Sequence, residues 1–433
     1  MTEDKRMDKA TKGMSTVALV ALFLTNFAYM SDLVIIPTAD IIYGYFLPLG
    51  VDMAVCDYIL SGSQLMAIFG ALLSVVFMRY LSKRNIILIL YTVFTLITAS
   101  TVFVIDAMYI AVTRAIAGFC FGALFPTGIA LIMEMYRDDE EKCERYIGFS
   151  NGTMGLVGGL ASIVSGFLLG IGLGIGGEVT GLQFSFALYF ISVPILIALF
   201  VTLPKTPAEK DIDYSAMEQA GAGAKEDDSV FPVGKIIAFM CSFAVAVIIY
   251  CFMSYQYAMF LPQHFELDTT FTAFLGSLGG LMSCVAGFVF GTVFKKTGRY
   301  TITWSYLGFV VAFLLFGLCA DNLALVILGL VINGLSFGFA VPYFYGYAAA
   351  QYPPKFESLI SSLITVAFGV GQFLCTFVTT WATEGLGLVS IDSLTEMPVI
   401  DYAAFFLYVA GAAAVAFVLS FVLATKDKMA NKK

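Results

Sequence analysis

Apolar residues fill the chain in long runs, each closed by a charged turn or a glycine-rich break. The runs cover 16–45, 59–79, 86–105, 108–134, 146–171, 183–203, 233–261, 271–294, 301–320, 323–349, 359–382 and 401–424. About 20 apolar residues let a helix cross a bilayer core ~30 Å thick. A crossing exposed to lipid must satisfy its own backbone hydrogen bonds, so each run predicts a helix. The pattern predicts an all-α polytopic membrane protein with twelve transmembrane helices. The first run carries an anomaly, "MSDLVIIPTAD", where Asp32 sits among apolar residues and Pro37 follows. A bend or loosened turn is predicted at that proline.

Charge placement orients the helices. With the N-terminus inside, the inner segments hold Lys5, Arg6, Lys9, Lys12, Arg79, Lys83, Arg84, Arg137, Lys142, Arg145, Lys205, Lys210, Lys225, Lys235, Lys295, Lys296, Arg299, Lys355, Lys426, Lys428, Lys432 and Lys433, which is 22 of the 23 Lys and Arg residues. The outer loops hold none, and the exception, Arg114, lies inside the fourth run. A missed or extra crossing would scramble this alternation. It predicts a multi-pass protein of the cytoplasmic (plasma or inner) membrane with both termini in the cytoplasm. The outer loops carry Asp52, Asp57, Asp106, Glu178, Glu266, Asp268, Asp321, Glu384, Asp392 and Glu396. They read as a solvated outer face, or as an attractor of cations. The charged start "MTEDKRMDKATKGMS" precedes a run too long for a signal peptide, so that run reads as the first span.

Composition narrows the function. The chain is 60% hydrophobic and 12% charged, about half the charge fraction of a soluble domain. A net charge of −8 with no long basic tract argues against nucleic acid as a partner. Eight scattered cysteines without CxxC spacing and one histidine suggest neither a disulfide framework nor a metal centre, and no cofactor is predicted. That histidine, His264, follows Pro262 at the outer end of span 7 and reads as a loop residue. No glycine-rich phosphate loop points to ATP as an energy source. An enzyme would need paired acids or clustered histidines, and a membrane sensor would carry a soluble output domain. Neither pattern is found, so the chain reads as a transporter and not an enzyme.

The longest inner loop, "LPKTPAEKDIDYSAMEQAGAGAKEDDSVFPVGK", is polar and mixed in charge. It divides the chain into an N-terminal six-helix half (1–203), a cytoplasmic linker (204–232) and a C-terminal six-helix half with a short basic tail (233–433). The halves repeat each other. Gly62, Gly70 and Phe77 of span 2 recur 217 residues later as Gly279, Gly287 and Phe294. Gly118, Gly122 and Pro126 of span 4 recur 216 residues later as Gly334, Gly338 and Pro342. Duplicated halves with a substrate path between them are a transporter signature, and the small-residue spacing also lets helices approach closely.

On these residues the chain resembles the major facilitator superfamily, and the likeness covers its whole length. Span 4 carries the family's R-x-x-x-G-x-x-x-G pattern through Arg114, Gly118 and Gly122, followed by Pro126. The inner turn "GTVFKKTGRY" resembles the family's loop motif through Gly291, Lys296, Gly298 and Arg299, with Lys295 where the family has Asp. The first copy, "SVVFMRYLSKR", is degenerate and keeps Arg79. In the family this loop helps latch the halves; basic residues at a lipid interface are the other reading. Span 1 resembles the D-x-x-x-x-x-x-A motif of drug–proton antiporters through Asp32 and Ala39. Span 5, "NGTMGLVGGL", keeps Gly155 and Gly159 of the antiporter signature, but Leu156 replaces its proline. The resemblance implies two pseudo-symmetric six-helix halves, alternating access and a monomeric secondary transporter.

Two charges lie well inside the spans. Asp32 is ~24 Å along span 1 from its inner start, and Arg114 is ~9 Å below the outer start of span 4, so the two share a depth. Intramembrane charges face a cavity or a partner. One reading makes Asp32 a proton site tuned by Arg114. The other makes the two a static ion pair fixing helix register. Asp40 lies ~12 Å beyond Asp32, at the outer mouth, and Glu134 reads as an interfacial acid. Polar side chains within the C-terminal spans include Tyr250, Ser254, Tyr255, Gln256, Tyr257, Asn333 and Gln372. The family's cavity is lined by spans 1, 4, 7 and 10. This implies Asn26, Tyr29, Tyr250, Gln256 and Asn333 as pocket residues, with Gln372 of span 11 beside them; helix-to-helix hydrogen bonding is their alternative role. Two versions follow. Proton antiport would export a lipophilic or cationic compound through Asp32. Proton symport or facilitated entry would bring in an organic anion or nutrient held by Arg114. Either way the partners are a small molecule, protons and the bilayer.

Overall fold

The computed structural model describes residues 14–137, 139–211, 233–267, 269–351, 356–391 and 398–430. Most of the linker, the N-terminal basic cluster, Lys225, Lys355, Asp268, Asp392, Glu396, Lys432 and Lys433 lie outside the described residues, as does the side chain of Asp40. The first span is broken. It comprises α1 (Thr16–Leu24), α2 (Asn26–Tyr29), α3 (Asp32–Ile35), a 3-10 turn Ile36–Thr38 and α4 (Ala39–Phe46). The axis bends by 53° between Thr16–Tyr29 and Asp32–Thr38. Pro37 explains the 3-10 turn, since it has no N–H to donate. The larger break falls earlier, at Met30–Ser31, where Met30 leaves helical geometry (φ −93°, ψ 11°). Side-chain hydroxyls bond carbonyls of the segment around the break. Tyr189 donates to the Ser31 carbonyl at 3.1 Å and Ser165 to the Val34 carbonyl at 2.5 Å.

The remaining helices are α5 (Met53–Tyr80), α6 (Lys83–Ser100), α7 (Ala107–Met135), α8 (Glu140–Phe186), α9 (Ser192–Thr202), α10 (Val233–His264), α11 (Thr269–Thr297), α12 (Thr301–Leu318), α13 (Leu323–Gln351), α14 (Glu357–Gly385) and α15 (Tyr402–Ala430). Side-chain caps start four of them: Asp52, Ser82, Asp106 and Asp139 accept from backbone N–H groups in the first turns of α5 to α8. α8 contains two crossings, because Gly176 and Gly177 leave helical geometry and Gly177 adopts φ 78°. Its second part continues through a 3-10 turn, Ala187–Ile191, into α9. Nine segments are long and apolar enough to cross a membrane among the described residues; Glu141–Thr202 and Phe274–Leu318 each make two crossings, and the broken first span adds one, giving twelve. Alternate ends gather on two faces. The basic face holds the α5–α6 turn with Arg79, Lys83 and Arg84; the acidic face holds Asp52, Asp106 and Glu178. A two-stranded antiparallel ribbon, β1 (Val389–Ile391) with β2 (Pro398–Ile400), lies between α14 and α15 on the acidic face and pairs Ser390 with Val399. The all-helical reading missed it because three-residue β-branched strands are too short to show a period.

The duplication is visible in packing. A Cβ on Gly118 would overlap the Ser63 carbonyl, and one on Gly122 the Ala67 carbonyl; at Gly334 and Gly338 the clashes are with the Gly279 and Ser283 carbonyls. Both pairs of the first half recur in the second at an offset of 216, so the structural partner of Gly279 is Ser63 and not Gly62 as the glycine spacing suggested. Small residues let α5 cross α7, and α11 cross α13, backbone on backbone. The halves meet mainly through α8 against α11 and α5 against α14. Gly155 and Gly280 touch there, the Ser74 and Ser362 hydroxyls are 2.7 Å apart, and Asn151 donates to the Gly338 carbonyl at 3.3 Å. These contacts run from mid-span towards the basic face.

Candidate functional site

Asp32 opens α3 directly after the break in span 1, so its side chain is freed from a regular helical surface. Three groups close on it. Arg114 of α7 forms an ion pair with Oδ1 through Nη2. Ser63 of α5 donates to Oδ1 at 2.9 Å, and Gln64 donates its Nε2 to Oδ2 at 2.5 Å. Arg114 also donates to the Ser63 hydroxyl (Nη2, 2.8 Å) and to the Ile59 carbonyl (Nε, 3.2 Å). The Gly118–Ser63 approach brings the α5 and α7 backbones together one turn from Arg114, holding donor and acceptor in register. The side chain of Arg114 is 3% exposed and that of Asp32 14%. The carboxylate therefore faces the open side and the guanidinium lies behind it.

The open side is a cavity between the halves with about 890 Å³ of empty space, including its mouth. Span 1 contributes Tyr29, Met30, Asp32 and Ile36; α5 contributes Gln64; α8 contributes Gly155, Gly158 and Ser162. From the other half come Tyr250, Cys251, Ser254, Tyr255 and Tyr257 of α10, Ser277 and Ser283 of α11, Phe337 of α13, and Phe368 and Gln372 of α14. Among the described residues of this wall, Asp32 alone is charged. Tyr250 stacks on Phe337 with centroids 3.8 Å apart, and Tyr29 packs on Phe368 at 5.5 Å. Three polar atoms of wall residues, the acceptors Gln64 Oε1 and Gln372 Oε1 and the hydroxyl Ser283 Oγ, are buried without a hydrogen-bond partner. A wall of aromatic faces, one carboxylate and unmatched acceptors suits an amphipathic molecule that brings donors.

Of the pocket residues expected from sequence, Tyr29, Tyr250 and Gln372 line this cavity. Asn26 instead donates to the Ser150 carbonyl at 2.8 Å, joining span 1 to α8. Gln256 accepts from the Tyr402 hydroxyl at 3.0 Å, joining α10 to α15. Asn333 is buried in α13 and is not part of the wall. Ser63 and Gln64 are not among the residues expected from sequence; their signal is the polar run "SGSQ" within an apolar helix. Arg114 is also absent from the wall. It borders a small separate cavity with Ile35, Thr98, Thr113 and Tyr189.

The motif residues occupy the helix crossings and the basic face. Gly118 and Gly122 make the α5–α7 contact, and the Pro126 carbonyl accepts from Ser361 of the other half at 3.3 Å. Arg79 lies over the Tyr80 ring at 5.9 Å. Gly291 faces the Arg145 backbone, and Gly298 takes φ 51° to start the turn carrying Arg299. Lys296 lies exposed in the last turn of α11. The strongest charge cluster there involves other residues. Lys83 Nζ is 2.7 Å from Glu134 and 3.2 Å from Glu209, and Ser358 donates to Glu209 at 3.0 Å. Glu134, an interfacial acid as read from sequence, is paired, and Glu209 brings the start of the linker onto both halves.

A family model described as Major Facilitator Superfamily matches residues 16–374 and 239–433. The chain belongs to the Major Facilitator Superfamily. No curated protein matches it in sequence. Among solved structures, this superfamily member is similar to the proton:xylose symporter XylE bound to 6-bromo-6-deoxy-D-glucose, with a TM-score of 0.71 and 13% identity over 94% of each chain. It is also similar to the human organic anion transporter MFSD10 (TETRAN), with a TM-score of 0.68 and 16% identity over 94% of this chain and 98% of that one. Likeness at these identities establishes the fold. The protein is therefore a multi-pass membrane transporter of small molecules, not an enzyme, built as twelve helices in two six-helix halves.

Proposed function

We propose that this transporter couples protons to the movement of a small organic molecule, with Asp32 as the proton or cation site and Arg114 as the charge that tunes it. The observation that carries this reading is the position of Asp32: among the described residues it is the one charged side chain on a wall shared by both halves. A proton and a cationic substrate would compete for the same carboxylate, which is sufficient for antiport. The aromatic wall of Tyr29, Tyr250, Phe337 and Phe368 favours a lipophilic or cationic compound, since ring faces attract cations. The basic face is assigned to the cytoplasm by the positive-inside rule. Contacts between the halves lie towards that face, which supports an outward-facing cavity, as needed to release an exported compound and load a proton.

Proton symport of a neutral or anionic nutrient is the second reading. The solved structures that the chain is similar to include a proton symporter and an organic anion transporter. Serine hydroxyls and two glutamines on the wall would serve a polyol. Arg114 lies behind Asp32, so an anion reaches it only if the pair opens. Transport of a compound panel into proteoliposomes under pH gradients of both signs separates the readings. Antiport moves substrate against the proton flow and symport moves it along. Full gradient-driven transport by Asp32→Asn would overturn both.

A further inference from the structure

Gln64 joins the Asp32 carboxylate to the cavity wall, and the two ends of its amide do different things. Nε2 donates to Asp32 Oδ2 at 2.5 Å, while Oε1 is buried without a donor. The two carboxylate oxygens also differ. Oδ1 accepts from Ser63 and from the Arg114 guanidinium, whereas Oδ2 accepts from Gln64. A proton therefore goes to Oδ2, where it displaces a neutral amide donor and leaves the charge-assisted bond intact. Once there, the Oδ2–H and the amide NH₂ are two donors facing each other. A half-turn of the amide about its last bond removes the conflict. Oε1 then accepts from Oδ2–H, and the NH₂ takes the place Oε1 held on the wall. The proton comes from the open side of the cavity and stays on Oδ2; no other bond is made or broken.

We propose that Gln64 reports the protonation state of Asp32 to the substrate by this amide turn: ionised Asp32 sets an acceptor on the wall, and protonated Asp32 sets a donor. The proposal rests on the reading that the cavity takes substrate and that Asp32 titrates, and it deepens that reading. It defines a substrate class: compounds carrying an N–H or ammonium donor are held when Asp32 is ionised and released when the proton arrives. A mismatched buried donor or acceptor changes affinity by roughly 5- to 150-fold, enough to drive exchange. Among the described residues, the ionisable groups that interact electrostatically with Asp32 are Arg114 of α7, Tyr29 of its own span, Tyr189 of the sixth span and Tyr255 of α10. None of these is a carboxyl, and the loss of the protonated-carboxyl signal in Asp32→Asn assigns it to Asp32.

Infrared difference spectra of the full chain in lipid nanodiscs, recorded through a pH titration, test this without any ligand. The Asp32 band is the protonated-carboxyl C=O stretch lost in Asp32→Asn, and the Gln64 band is the side-chain amide stretch lost in Gln64→Met. In the wild type both bands change with a single midpoint. In Gln64→Met the Asp32 band moves to higher wavenumber, because the carboxyl loses its acceptor. Gln64→Asn, too short to reach Oδ2, gives the same shift and guards against one variant folding badly. An Asp32 band at the same position in all three, or a Gln64 band that does not change with it, overturns the amide turn alone. Absence of any Asp32 band through the titration overturns the proton reading as well.

Discussion

Asp32 stands between Arg114 and the cavity: its carboxylate is 14% exposed, and the guanidinium paired with it is 3% exposed. Removing the carboxylate leaves a buried cation with nothing to balance it. Breaking a buried pair from one side costs about 3–5 kcal/mol, whereas replacing both partners with apolar groups costs far less. Asp32→Leu is therefore expected to unfold at markedly lower denaturant in detergent micelles, and Asp32→Leu/Arg114→Leu to regain most of that loss. Equal destabilisation by the single and the double variant would show that the pair does not contribute as a unit.

Asp32→Asn is the milder probe. Its amide oxygen can still accept from Arg114 and Ser63, so about 1–3 kcal/mol of stability is lost, the cost of one weakened buried hydrogen-bond set. Proton coupling should vanish in this variant while folding persists. Solute movement down its own gradient in proteoliposomes, insensitive to an imposed pH gradient, is the expected result. Flux that still follows the pH gradient would place the proton site elsewhere.

The twelve crossings and the meeting of Asp32 with Arg114 were legible before any coordinates, because apolar run length, basic-residue alternation and helical rise are local or additive quantities. The break at Met30–Ser31 was not. Nothing in those residues disfavours a helix; the hydroxyls of Tyr189 and Ser165, more than 130 positions away, make the opened backbone tolerable. The same holds for Asn26 and Gln256. Their polarity marked them for a cavity, and only the fold shows that Ser150 and Tyr402 already occupy their hydrogen bonds. Polar residues inside spans serve packing as readily as binding, and sequence alone does not separate the two uses.

Duplicated glycines give a paired stability test. A methyl at Gly118 meets the Ser63 carbonyl, and one at Gly334 meets the Gly279 carbonyl. Backbone cannot yield as a side-chain tip can, so Gly118→Ala and Gly334→Ala should each cost about 1–3 kcal/mol in reversible unfolding. Gly411 in α15 has open space around it. Gly411→Ala should stabilise by about 0.5–1 kcal/mol through helix propensity. If Gly118→Ala and Gly411→Ala behaved alike, close backbone approach would not be what those glycines supply.

The Lys83 cluster makes a prediction about conformational balance. Glu209 of the linker is held by Lys83 from one half and Ser358 from the other, so this contact closes the basic face only while the halves are together there. Weakening it should favour the state in which that face opens and the acidic side closes. Cys251, on the cavity wall, supplies the readout. In a background where Cys251 is the sole cysteine, a membrane-impermeant maleimide added on the acidic side should label it. Glu209→Gln and Lys83→Met should each slow that labelling severalfold, since a contact worth ~1 kcal/mol shifts a two-state balance by about fivefold. The same reagent on the basic side should label the variants faster than the parent. Unchanged rates on both sides would mean that the cluster joins linker to halves without biasing which face is open.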